Sequence, residues 1–167
     1  MVSELESLIS GSRSPPGAAE GIFTARFYLW LFSVYKKYNI GCACYFEAVN
    51  EGAIRVNPRS SELTAHGQMM SLMSLHAGGV PCQEWNTAKC FATRHNGKVY
   101  MTVLNDSYTE SSEFTLPHGG EQTEITLWNA ADILPGSRFS PSKIPASENK
   151  ITVPPLSLLT VCFAEKQ

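Results

Sequence analysis

Apolar residues first gather in the stretch EGIFTARFYLWLFSVYKKY, where Ile22, Phe23, Phe27, Leu29, Trp30, Leu31, Phe32 and Val34 occupy nearly every side of a helix. The pattern predicts a helix over residues 20–38, with an acid at its start and Lys36 and Lys37 in its last turn, as the helix dipole prefers. A helix that is apolar all round is normally covered on most sides. This one expects neighbours. Ahead of it, GSRSPPGAAEG reads as a loop, because Pro15 and Pro16 disfavour helix just before them and three glycines loosen the segment.

The next apolar run, IGCACYFEAV over 40–49, shows no polar alternation until Glu47 and has the look of a parallel strand covered on both faces. NEGAIRVNPRSS then reads as a connection. ELTAHGQMMSLMSLH predicts a second helix over 62–76, with Leu63, Met69, Met70, Leu72, Met73 and Leu75 as its apolar set and Gly78-Gly79 as its end. Helix, apolar strand, helix is a piece of α/β wrapping, and such a strand needs parallel neighbours.

The character changes near residues 77 to 87, which places a boundary between a first domain over 1–80 and a second over 81–167. AKCFATRHNGKVYMTVLNDS predicts two strands about Asn96-Gly97, a two-residue hairpin signal of the type I′ kind. Further strands follow at SSEFTLP, TEITLWNA, NKITV and LSLLTVCFAE, with DILPGSRFSPSKIPASE as a loop between two of them. Short strands with turn punctuation make a small antiparallel sandwich. Period-2 alternation puts Phe91, Val99, Met101, Val103, Phe114, Leu116, Ile125, Leu127, Ile151, Val153, Leu159, Val161 and Phe163 inside it.

Composition narrows the classes. At 167 residues and 43% apolar content the chain can bury a core of ordinary size. A net charge of −2 with 17% charged residues gives no electrostatic case for nucleic acid or an acidic membrane surface. The start, MVSELESLIS, carries acids where a secretory signal carries Lys or Arg. The run GIFTARFYLWLFSVY contains Arg26 and falls short of the roughly 20 residues that span a bilayer. The odd set Cys42, Cys44, Cys82, Cys90 and Cys162 argues for free thiols over a disulfide framework. Cys42 and Cys44 share one face of a strand, yet no second pair or nearby His completes a metal site, and no cofactor motif is present.

YFEAVNEGAIRV, then a helix ending SLMSLHAGG, then a sandwich containing VYMTVLND and closing on VPPLSLLTVCF, resembles the C-terminal end of a clan A glycoside hydrolase of the α-L-arabinofuranosidase-like kind, over residues 20 to 165. The resemblance implies an α+β chain: a helix-strand-helix remnant of a (β/α)8 barrel, with 20–38 as the seventh barrel helix, 40–49 as the eighth strand and 62–76 as the eighth helix, followed by a small antiparallel β-sandwich. A full barrel takes about 250 residues. Most of it is therefore outside this sequence, and the family's acid/base and nucleophile glutamates map upstream of every matched position. No catalytic residue transfers. The glycan substrate belongs to the complete enzyme, and the chain by itself is expected to be inactive.

Glu47 lies near the C-terminal end of the proposed eighth strand, the side on which barrel active sites are built. Three readings are weighed for it: a secondary role at the rim of a substrate pocket, a structural partner for Arg55 or Arg13, and, least favoured, catalysis within this chain. Asn50 and Glu51 read either as turn residues or as further rim contacts. A retaining glycosidase needs carboxyls about 5 to 5.5 Å apart, and the turn Val49-Asn50-Glu51-Gly52 does not require Glu47 and Glu51 to converge. His66 and His76 sit about 15 Å apart along one helix, too far to share a metal; they read as a surface and a helix-end histidine. His95 and His118 read as turn residues. Trp85, Trp128 and Tyr108 could form a sugar-stacking platform, although Trp128 sits in an alternating strand and fits the core better. A carbohydrate-binding sandwich module and a structural interaction domain are the competing functions. Helix 20–38 is expected to self-associate or to meet a missing barrel segment.

Overall fold

The first helix starts where Gly17 and Glu20 meet: the Gly17 N–H donates to the Glu20 carboxylate at 3.0 Å, satisfying a donor that a helix N-terminus leaves open. A computed structural model describes residues 17–35, 37–38, 40, 49, 52–87, 89–116, 121–145 and 150–164, with backbone only at 121–123. These residues divide into two compact units, one drawn from 1–72 and 130–139, the other from 73–129 and 140–167.

In the first unit, helix α1 spans Ala18–Val34. It begins two residues before the expected start and ends four before the expected end. Beyond it the Tyr38 N–H donates to the Val34 carbonyl at 3.0 Å and the Ile40 N–H to the Tyr35 carbonyl at 3.1 Å, so helix-like hydrogen bonds close the end of the element. No basic residue lies in the last helical turn. The expected apolar strand over 40–49 falls outside the described residues apart from Ile40 and Val49, and Val49 forms an isolated parallel bridge with Ile54.

The stretch read as a connection is a hairpin. Strands β1 (Ile54–Asn57) and β2 (Ser60–Leu63) pair antiparallel, with Arg55 opposite Glu62 and Asn57 opposite Ser60. Glu62 and Leu63 thus belong to a strand, and helix α2 runs from Ala65 to Met73, followed by a 3-10 turn over Ser74–His76. Thr64 sets that start: its Oγ1 accepts the Gly67 N–H at 3.3 Å, as an N-cap hydroxyl does. Gly78 ends the element at φ +74°, the left-handed region expected of a glycine there. Met69, Leu72 and Met73 are buried as expected, whereas Leu63 and Leu75 are exposed.

The second unit is all β apart from short helical turns. Its larger sheet runs in the order β3 (Val80–Pro81), β4 (Cys90–His95), β5 (Lys98–Asn105), β10 (Ser157–Ala164), β7 (Glu121–Ala130), β8 (Phe139–Lys143). A separate antiparallel ladder joins β6 (Ser112–Thr115) to β9 (Lys150–Val153). Asn96 and Gly97, both at positive φ, make the β4–β5 turn as the Asn-Gly pair predicts, and His95 is an exposed residue beside it. In the centre of the sheet Val161 lies between Met101 and Ile125, and Leu159 between Val103 and Leu127.

One apolar cluster joins these residues to Leu116, Ile151 and Val153, so side chains from both sheets close a single sandwich core. The fold class is α+β with a small antiparallel sandwich. Phe114 and Leu127 are partly buried at its edge. Phe91 is the exception among the expected core residues. It is buried on the opposite face of β4, against the His76 ring at 5.0 Å between centroids. Among the described residues Cys82, Cys90 and Cys162 form no disulfide, and burial pushes the Cys90 thiol up to about 12.

Candidate functional site

Glu47, Asn50 and Glu51 lie outside the described residues, as do Arg13, Cys42, Cys44 and His118. Their C-terminal flank is described, and it is firmly held. Thr64 Oγ1 donates to the Gly52 carbonyl at 2.6 Å while the Thr64 N–H donates to the Ala53 carbonyl at 2.9 Å. Gly67, on the first turn of α2, lets that backbone approach: a Cβ there would stand 2.1 Å from the Ala53 oxygen. The chain leaving Glu51 is therefore clamped to the N-terminus of α2 by a hydroxyl and by the lack of a side chain. Neither residue signals this in the sequence, because Thr-x-x-Gly lacks the glutamate of a capping box.

Two further groups of the same unit approach this helix end. His66 is buried, not on the surface as expected, because its place in the first turn of α2 puts it on the inward side with Ala65 and Met69. Burial pushes its pKa below the usual histidine value, opposed by the Glu20 carboxylate. Gln68 holds the segment that ends at Phe139 in both directions, its Nε2 donating to the Phe139 carbonyl and its Oε1 accepting the Phe139 N–H, each at 2.9 Å. The same segment caps α1, where the Ala18 N–H donates to Ser137 Oγ at 2.8 Å. Arg138 pairs with Glu62 at 2.9 Å.

This arrangement orients backbone. Glu20 is engaged as a helix cap, and His66 is shielded from solvent. Among the described residues no group of three or more His, Cys, Asp or Glu side chains could hold a metal ion. No helix among them is long and apolar enough to cross a membrane.

The aromatic residues do not share a face. Trp85 packs against the sandwich core and meets Phe163 edge-on at 5.5 Å, with the Arg94 guanidinium 5.7 Å from its ring centroid. Arg94 is fixed there by an ion pair with Glu84, whose carboxyl is held below its ordinary pKa by its backbone hydrogen bond and by Arg94. Trp128 alternates with the core-facing Leu127 and so points to the other side of the sheet, contrary to a core placement. There it is half-buried and donates its indole N–H to Thr160 Oγ1 at 3.2 Å. Tyr108 is 66% exposed, alone of the three in being open to solvent.

Solved structures supply the comparison. Over 90% of this chain superposes on an α-L-arabinofuranosidase from Thermotoga maritima, solved with arabinose, at a TM-score of 0.70 and 16% identity, covering 39% of that chain. A family 51 α-L-arabinofuranosidase from Bifidobacterium longum matches over 91% of this chain and 35% of its own, with a TM-score of 0.68 and 13% identity. A third arabinofuranosidase structure matches over 89% and 39%, at 0.66 and 14%. No family model matches the sequence, and no curated protein matches it. At these identities the likeness is one of fold. The chain has the fold of a portion of these enzymes and spans well under half the length of each.

Proposed function

We propose that this chain is the C-terminal portion of a glycoside hydrolase, in which residues 1–80 close the end of a (β/α)8 barrel and residues 81–167 form a sandwich that braces it. The observation that carries the reading is the match of nearly the whole chain to about a third or more of three arabinofuranosidase structures. The substrate of the complete assembly is a glycan, and the reaction is retaining hydrolysis of a glycosidic bond by two carboxylates that lie outside this sequence.

In this reading Glu47, Asn50 and Glu51 stand at the rim of the substrate pocket, on the C-terminal side of a barrel strand. The clamp of Gly52 and Ala53 onto Thr64 supports it, because it gives the chain just beyond Glu51 a fixed path. A role in positioning sugar needs such fixity. The carbohydrate-module alternative gains nothing from the aromatic residues, since Trp85 and Trp128 sit on opposite faces of one sheet.

The test is hydrolysis of aryl α-L-arabinofuranoside, xyloside and glucoside reporters by the purified chain. No release above buffer is expected. Turnover that disappears in Glu47→Gln would show that the chain carries its own catalytic carboxylate and would overturn the reading.

A further inference from the structure

Helix α1 has two apolar sides. Ala18, Gly21, Ile22, Ala25 and Leu29 are buried at helical spacing and form the side turned into its own unit, with Thr24 and Leu31 buried on one flank. Phe23, Phe27, Trp30 and Val34 recur at spacings of four, three and four. At about 100° per residue they fall within about 60° of one another, across the helix from Ala18, Ile22, Ala25 and Leu29 and beside the buried Leu31. Phe23 is 44% exposed and Trp30 55%, while Phe27 and Val34 are half-buried. The Phe27 and Trp30 rings lie 5.9 Å apart, so the stripe is already ordered as a surface.

That spacing is the seam along which one helix packs against another. Aromatic side chains of this size bury about 150 to 250 Å² each, and an exposed row of them is unusual on a soluble monomer. The occupant follows from length. The arabinofuranosidase chains that share this fold are covered only to 39%, 35% and 39%, so most of their architecture has no counterpart in these 167 residues.

We infer that the stripe Phe23, Phe27, Trp30 and Val34 docks a helix of the polypeptide that carries the remainder of that architecture. The inference rests on the proposed function for the identity of its occupant, and its test is separate from the activity assay. The aromatic row is laid into the groove of the partner helix, with Trp30 as its central anchor.

The test places a photoreactive residue on the stripe, Phe23→p-benzoylphenylalanine, in the chain expressed in cells of its source organism, and identifies the cross-linked peptide by mass spectrometry. The expected product joins the stripe to a helix of a polypeptide with (β/α)-barrel sequence. Trp30→Glu should reduce its yield at least tenfold without changing the melting temperature of the chain, because Trp30 is exposed; Ser33→Glu, exposed and off the stripe, should leave the yield unchanged. A cross-link to a second copy, to residues of this same chain or to an unrelated protein, or no cross-link, overturns the inference. Any of those results with an inactive purified chain leaves the proposed function standing, whereas turnover by the chain alone overturns that function whatever the cross-link shows.

Discussion

The side-chain hydroxyl of Thr64 donates to the Gly52 carbonyl at 2.6 Å while accepting the Gly67 N–H at 3.3 Å, so one buried oxygen joins the start of helix α2 to the chain that precedes the β1–β2 hairpin. Removing it costs an N-cap and leaves a buried carbonyl without that partner. Thr64→Ala should lower stability by about 2 kcal/mol in urea unfolding. Thr64→Ser, which keeps the oxygen, should recover most of the loss. Equal losses in both variants would mean that the methyl group, not the hydroxyl, matters here.

Gly67 gives a prediction whose sign is opposite to the usual one. In an exposed helix, replacing glycine by alanine gains about 0.5 to 1 kcal/mol through backbone entropy. Here the new Cβ would meet the Ala53 carbonyl oxygen at 2.1 Å, and that oxygen already accepts the Thr64 N–H. Backbone held in this way gives little, so Gly67→Ala should destabilise by about 2 kcal/mol net. A rise in melting temperature would show that the segment at Ala53 moves freely.

The contrast between strands explains what the sequence disclosed. β5, β9 and β10 alternate apolar and polar residues against one core, and the Asn96-Gly97 turn fixes the register of β4 with β5, so these strands could be read directly. β8 buries only Phe139 of its five residues and carries Pro141, which suits an outer position in the sheet. Its hydrophobic signal is a single residue, and it reads as loop. The β1–β2 hairpin fails for the same reason, since its eight residues are almost all exposed and its pairing rests on backbone hydrogen bonds. The helical reading of Glu62 and Leu63 came from residue preference, which the hairpin overrides. At the site, Glu47, Asn50 and Glu51 could be named because acids and amides at a strand end are chemically conspicuous. Thr64 and Gly67 could not, since their roles depend on a carbonyl twelve or more positions away that only the folded chain brings near.

Asn105 ties three segments of the second unit together. Its amide Nδ2 donates to the carbonyls of Glu110, Val153 and Pro154 at 2.8, 3.0 and 2.9 Å, and its Oδ1 accepts the Ser107 N–H at 3.2 Å. Asn105→Asp keeps the shape but turns a donor into an acceptor facing three carbonyl oxygens, in a site that is 1% exposed. The loss should reach about 3 kcal/mol at neutral pH. It should shrink as the pH is lowered through the aspartate's pKa, because the protonated carboxyl regains a donor. A pH-independent loss would place the damage elsewhere than in this donor.

His76 supplies the acid response of the sandwich. Its Nδ1 lies 3.0 Å from Thr93 Oγ1 and its Nε2 2.9 Å from Thr102 Oγ1, on the face of β4 and β5 where Phe91 covers the ring. Hydroxyls can donate to one ring nitrogen and accept from the other, so the neutral imidazole is satisfied where it stands. Burial lowers its pKa from 6.5 to about 4. The unfolded chain therefore takes up a proton between those values that the folded chain refuses, and stability falls as the pH drops through this window. Above 6.5 the contribution is complete, and below about 4 no further loss follows from this group. The whole decrease from His76 should be about 3 kcal/mol. His66, also lowered by burial, acts in the same direction. Urea unfolding of the chain at pH 7, 6, 5 and 4 should show the fall, and His76→Gln, which cannot titrate, should show a shallower one. Parallel slopes for the two proteins would mean that the folded ring binds its proton as readily as the unfolded one, and that the two threonine hydroxyls accept from a charged imidazolium.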